Sequence, residues 1–278
     1  MQKQNARQAL IDSVGIPVTQ ADVMVDTIKT AYLSAGTGYP VICLHGGGAG
    51  AVTWYPSIGP LSQHFHVIAP DIVGYGESDK PDAAYDKAYF VTWLKQWLDE
   101  LGITRAHIIG LSQGGAIALQ LALDYPEVVD KLVLVDSGGL GAKSPLLSIV
   151  GMVWLNTWPS SLANRFFSRY ILFEPKKRDP NHGRYSIEVL KQKGGQKPFT
   201  QGRGAAVSAL SDAALSRISN KTLVVWGEND RLFPFEYGAK AAAIMPDATL
   251  CCIKDAGHLP LMDQPAVFNQ AVINFLLT

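Results

Sequence analysis

The sequence lacks an excess of charge of either sign. Its 278 residues carry 24 Lys and Arg against 24 Asp and Glu, a formal net charge of zero. A nucleic-acid backbone or an anionic membrane needs a basic surplus, so neither partner is expected. Cysteine is also scarce, with 3 in all: Cys43, Cys251 and Cys252, each in an apolar strand-like run. An odd count without regular spacing excludes a disulfide framework and reads as buried core thiols. The first residues, Met1-Gln2-Lys3-Gln4-Asn5-Ala6-Arg7-Gln8, have no apolar core of the kind a secretory signal carries. No run is long and apolar enough to span a membrane, and a cytoplasmic location is the expectation. Internal repeats and low-complexity segments are absent too.

What is present is core material. Hydrophobic residues make up 47% of the chain and charged residues 17%, a balance that argues for a folded domain and against disorder. The length allows one large α/β domain or two small ones. Residues from about Ala21 to Ser34 alternate and read as a strand pair at a sheet edge. From Val41 to Asp136 short apolar runs alternate with helical stretches. The runs are Val41-Ile42-Cys43-Leu44, Phe65 to Ala69, Ala106 to Ile109 and Leu132 to Val135; the helical stretches are Trp54 to Gln63, Ala88 to Leu101 and Ala116 to Leu123. Continuously apolar strands alternating with helices imply a mostly parallel sheet covered on both faces. The pattern breaks at Ser137-Gly138-Gly139 and resumes at Lys221 to Gly227, with a further strand from Ala248 to Ile253 and a last helix from about Pro265 to Leu276. The expected fold is therefore α/β. A core of residues 1–137 and 214–278 would hold a central sheet flanked by helices, and residues 138–213 would form an inserted helical cap, including the polar stretch with Lys176, Lys177, Arg178 and Asp179.

Gly110-Leu111-Ser112-Gln113-Gly114 is the most informative motif. A serine at a sharp strand-to-helix turn with glycine two residues to either side is the nucleophile elbow pattern. The turn forces the serine into a strained conformation, and flanking glycines remove the collisions that side chains would cause. Serine is a weak nucleophile at neutral pH and needs a base beside it and an acid to orient that base. Downstream, one strand ends in Gly227-Glu228-Asn229-Asp230-Arg231 and the last ends in Gly257-His258. Loops that follow the carboxyl ends of parallel strands gather on one edge of the sheet, so Ser112, Asp230 and His258 are expected to converge.

At these residues the chain resembles the α/β-hydrolase family. His45-Gly46-Gly47-Gly48 looks like its oxyanion loop and Asp71 to Ser78 like its structural turn. The loops at Gly227 to Asp230 and Gly257-His258 look like those of its acid and base. The resemblance implies Ser112 as nucleophile, His258 as base and Asp230 as the acid that orients it. It also implies the backbone amides of Gly47 and Gln113 as the oxyanion hole. Two other carboxylates compete for the acid position: Glu228, which reads as a solvated loop charge, and Asp136, which sits where some relatives place their acid. His45 is expected to be structural. No metal or organic cofactor is implied, and no ligand spacing for one is visible.

The glycine loop also resembles that of meta-cleavage-product hydrolases, which cut C–C bonds of vinylogous diketones. Those enzymes tend to carry asparagine before the serine, methionine after it and tryptophan after the histidine, where this chain has Leu111, Gln113 and Leu259. An asparagine expected soon after the glycine loop is missing, with Pro56 near that place. The expectation is thus a small-molecule carboxylic ester as substrate, with C–C cleavage as the alternative. A ligand receptor with little turnover is a further alternative, against which the intact Ser112, Asp230 and His258 argue. Within the cap, Trp154, Trp158, Phe166, Phe167 and Phe173 either line an acyl pocket or pack the cap onto the core. Arg165, Arg169, Arg184 and Arg203 read as surface groups, one of which could meet a substrate carboxylate.

Overall fold

The structure is a computed structural model that describes residues 5–177 and 179–278. Residues 1–4 and Arg178 lie outside the described residues. The chain opens with α1 (Ala6–Asp12), whose N-terminus is capped by the Asn5 side chain accepting from the Arg7 amide. β1 (Thr19–Val25) and β2 (Ile28–Ala35) form the expected hairpin. Then come β3 (Pro40–Leu44), a 3₁₀ turn at Ala51–Trp54, α2 (Tyr55–Ser62) and β4 (His66–Pro70), followed by α3 (Lys87–Glu100), β5 (Ala106–Leu111), α4 (Gln113–Asp124) and β6 (Val129–Val135).

Among the described residues, the chain between β6 and β7 (Lys221–Gly227) holds no strand. It is built from α5 (Leu146–Thr157), α6 (Ser161–Ile171), α7 (Pro180–Lys191), α8 (Lys197–Gly202) and α9 (Asp212–Leu215), with short 3₁₀ turns between them. After β7 come α10 (Phe235–Ile244), β8 (Ala248–Ile253), α11 (Pro260–Asp263) and α12 (Pro265–Leu277).

The strands form one eight-stranded sheet in the order β1-β2-β4-β3-β5-β6-β7-β8. β2 pairs antiparallel with β1 and β4, and every pairing from β4 to β8 is parallel. Alternate side chains of the inner strands enter two separate cores. Ile42, Leu44, Ile108 and Leu134 face one core; Val41, Cys43, Ile109 and Val135 face the other. Strands covered on both faces have no solvent side to alternate with, which is why they read as unbroken apolar runs.

α3 closes one face with Phe90, Trp93, Leu94, Trp97 and Leu98, all buried. The other face is closed by α1, α2 and α12, through Leu10, Ile58, Phe268 and Val272. Burial of this kind dominates stability: truncating a buried leucine such as Leu94 to alanine costs about 2–5 kcal/mol.

The reading of three buried thiols is corrected. Cys43 is buried, but Cys251 is half-buried and Cys252 exposed. The reason is that β8 is the edge strand of the sheet and covers little on its outer side.

Candidate active site

Parallel pairing brings Leu111, Val135 and Val225 into register. The residues just beyond the strands therefore share one edge of the sheet. Ser112 stands between β5 and α4 with φ 52° and ψ −115°. This is a left-handed conformation that costs a non-glycine residue about 1–3 kcal/mol. Hydrogen bonds hold it there: the Ser112 amide donates to Val135 O (2.9 Å), and its carbonyl accepts from Gly115 N (3.0 Å) and Gly138 N (2.8 Å). Both flanking glycines are sterically required. A Cβ on Gly110 would lie 2.5 Å from Gly114 O, and one on Gly114 would lie 2.3 Å from Leu44 O.

His258 follows β8, and its Nδ1 lies 2.7 Å from Asp230 Oδ2. A carboxylate can only accept, so the proton of the neutral ring sits on Nδ1 and Nε2 keeps its lone pair. Among the described residues Nε2 is buried without a hydrogen-bond partner. The ring edge packs on Phe233 at 5.0 Å between centroids. Asp230 Oδ1 accepts from the amides of Leu232 (2.7 Å) and Phe233 (2.9 Å), which fixes the carboxylate. Glu228, by contrast, is exposed.

Asp136 also comes to this place. It is fully buried, has φ 41°, and accepts from Gly227 N at 3.0 Å through Oδ1. Burial pushes its carboxyl well above the ordinary carboxylate range, and the neighbouring charge of Asp230 and a hydrogen bond to it push the same way. Ligand atoms of Asp136, Asp230 and His258 lie within 4.8 Å of one another. That spacing could suit a metal ion. However, Asp230 already spends both oxygens on two amides and an imidazole, so the cluster fits a hydrogen-bonded relay better than a coordination shell.

The glycine loop is braced from below. His45 is fully buried; its Nε2 accepts from Ile72 N (3.0 Å), so its Nδ1 donates to Gly46 O (2.7 Å). Burial holds its pKa below the ordinary histidine value. Both ring nitrogens are thus committed to the backbone, which is a structural role. Asp71 accepts from Ala51 N (2.6 Å) and Glu77 N (3.2 Å) and meets Arg7 Nη2 at 3.3 Å. Gly47 sits against Gln113: a Cβ there would lie 2.6 Å from Gln113 Oε1. Tyr75 OH donates to that same oxygen at 2.9 Å.

Ser112, His258, Gly47 and Gln113 line one cavity of about 620 Å³. Its wall is largely apolar, with Met152, Leu155, Phe167, Leu190, Val207 and Phe233. Among the described residues that line it, Arg165, Arg169, Arg184 and Arg203 do not appear, and Lys143 supplies the cationic group. Of the five aromatics singled out in the sequence, Phe167 reaches the cavity, whereas Trp154, Trp158, Phe166 and Phe173 do not. Sequence reading missed Lys143, Tyr75 and Thr53 as cavity residues; none carries a local signal. The side-chain amide of Gln113 and the hydroxyl of Thr53 are buried there without a hydrogen-bond partner among the described residues.

Sheet order, elbow, braced glycine loop and imidazole–carboxylate pair together define an α/β hydrolase. A profile of the Alpha/beta hydrolase family matches residues 41–271, and the chain belongs to that family. It is similar to a 2-hydroxy-6-oxo-6-phenylhexa-2,4-dienoate hydrolase of Burkholderia cepacia, 34% identical over 87% of this chain and 89% of the relative. Among solved structures it resembles carboxylesterase CesB of Bacillus subtilis (TM-score 0.89, 25% identity, 98% of this chain and 95% of that one). It also resembles the meta-cleavage product hydrolase CumD of Pseudomonas fluorescens IP01 (TM-score 0.82, 28% identity, 92% and 97%). Among the described residues no helix is long and apolar enough to cross a membrane.

Proposed function

We propose that this hydrolase cleaves small carboxylic esters through a Ser112–His258–Asp230 triad, with residues 138–213 as the cap over the site. One observation carries the reading. His258 has Nδ1 engaged by Asp230 and Nε2 unpartnered, in the cavity that also holds Ser112 on its strained elbow. An imidazole in that state has one task open to it, to take a proton.

In this mechanism Ser112 Oγ attacks the ester carbonyl carbon while Nε2 takes the hydroxyl proton. The carbonyl oxygen becomes an oxyanion held by the amides of Gln113 and Gly47, each such donor being worth roughly 3–4 kcal/mol. The Gln113 amide opens α4, where helix geometry provides no internal acceptor and the dipole favours negative charge. Collapse breaks the ester C–O bond, and the alcohol leaves with the proton from His258. Water then gives a proton to Nε2 and attacks the acyl-enzyme. The acid departs and Ser112 recovers its proton.

The ester assignment rests on the largely apolar wall, on the residues at 56, 111, 113 and 259, and on the likeness to a carboxylesterase. C–C cleavage of a dienoate is the second reading, favoured by the name of the relative at 34% identity. Lys143 is the wall cation that such a carboxylate would need.

The experiment is steady-state hydrolysis of p-nitrophenyl esters from acetate to long chains, run beside a phenyl-substituted meta-cleavage dienoate. The expected result is ester turnover at about 1–1,000 per second with little dienoate cleavage, and loss of turnover in Ser112→Ala. Efficient dienoate cleavage with poor ester turnover would overturn the ester reading.

A further inference from the structure

The outer face of α5 and α6 is apolar and uncovered. Leu146 is 75% exposed, Trp158 76% and Leu162 65%, with Leu147, Val150 and Val153 also exposed beside them. The two helices pack closely, since a Cβ on Gly151 would touch the Phe166 ring at 3.0 Å. On α5 the helical period divides the apolar residues between two sides. Met152 and Leu155 line the cavity, while Leu146, Val150 and Val153 are turned to solvent. An exposed apolar cluster of this kind marks an interaction surface.

Charge says what the surface meets. Residues 137–173 contain Lys143, Arg165 and Arg169 and no Asp or Glu, although the whole chain is electrically balanced. All three cations are exposed. Arg231 adds another exposed guanidinium, its Nη1 donating to Arg169 O at 3.4 Å. A second copy of the chain is a poor occupant. A two-fold interface sets a patch against itself, and here it would place cations against cations with no carboxylate in the segment. An anionic bilayer answers both features, because leucine and tryptophan enter the headgroup–acyl boundary while Lys and Arg meet lipid phosphates.

We propose that the α5–α6 face docks on an anionic lipid bilayer, seating the outer wall of the cavity at the membrane surface. The membrane partner that net charge argued against is thus assigned to a local patch, because a net charge of zero averages over the whole surface. The assignment is independent of which bond the enzyme cleaves.

The test is co-sedimentation of the full chain with vesicles of phosphatidylcholine, with and without phosphatidylglycerol. Two double variants accompany it, Trp158→Ser with Leu162→Ser and Arg165→Glu with Arg169→Glu. The expected result is binding to phosphatidylglycerol vesicles that weakens in high salt. The charge variant should bind about 30-fold more weakly or worse, since each cation near the surface contributes about fivefold and the introduced carboxylates add repulsion. The Trp158 and Leu162 variant should also lose binding while hydrolysing a soluble ester at the parent rate, because neither residue lines the cavity. No binding by the parent chain at low salt would overturn the proposal, as would binding that survives both variants. A dimer seen by light scattering that the same substitutions dissociate, without vesicle binding, would assign the face to a second copy and also overturn it.

Discussion

The carboxyl of Asp136 lies within 4.8 Å of that of Asp230, and burial together with that neighbouring charge holds the Asp136 carboxyl well above the ordinary carboxylate range. Asp230 is the more heavily solvated of the two by the protein, through two amides and the His258 ring. Asp136 receives the Gly227 amide on Oδ1, while its Oδ2 has no acceptor-type bond among the described residues. A proton on Asp136 shared with Asp230 accounts for that orphan oxygen, and it agrees with the upward displacement of the Asp136 carboxyl by burial and by Asp230.

Unequal roles for the two acids predict unequal losses of activity. Asp230→Asn would present an amide to His258 Nδ1 and favour the wrong tautomer, a change that costs on the order of 10⁴-fold in kcat in triads of this design. Asp136→Asn keeps a donor toward Asp230 and should lose far less. Ester turnover by the two variants checks this, and the reverse order would make Asp136 the orienting acid.

The same proton sets a pH dependence of stability. A carboxyl whose folded pKa is raised binds more protons folded than unfolded, so its stabilisation is present below the unfolded value of 3.8 and is lost as pH rises. Asp136→Asn removes that loss. The variant's Tm should gain on the parent's as pH is raised from 4 to 8, by about 2–4 °C for each kcal/mol recovered. A constant difference across that range would show Asp136 to be ionised in the fold.

His107 in β5 acts in the opposite direction. Burial lowers its pKa from 6.5 to about 4, against the opposing pull of Asp130 at 3.2 Å. Between those values the unfolded chain takes up a proton that the folded chain refuses, so stability falls as pH falls. The ring packs on Tyr39 and Phe65, so His107→Phe keeps the contacts without the titration. Urea midpoints at pH 7.5 and pH 4.5 should show the parent losing more stability than the variant. Equal losses would remove His107 from the account.

Arg7 ties α1 to the turn beneath the glycine loop through its contact with Asp71, with side-chain exposures of 10% and 0%. Removing one partner of a buried ion pair leaves a charge without compensation and costs about 3–5 kcal/mol. Arg7→Met should lower stability by that amount in urea unfolding. A loss under about 1 kcal/mol would mean that the amides of Ala51 and Glu77 already satisfy Asp71, as neutral hydrogen bonds of ordinary worth can.

What the sequence determined by itself was local and periodic. The inner strands were legible because residues buried on both faces leave unbroken apolar runs, and Ser112 was legible because an elbow tolerates only glycine at 110 and 114. α1 and α10 were not read, the first having only 7 residues and the second burying Gly238 and Ala241, residues too small to mark an apolar face. Tertiary structure alone set Asp136 beside Asp230, since register between β6 and β7 decides which loop carboxylates meet. It also placed Lys143 in the cavity wall, where none of the four arginines read as surface groups appears, and left the α5–α6 face open. The physical reason is the same in each case. Strand and turn propensities act over a few residues, whereas which side chains share a cavity depends on how distant elements pack.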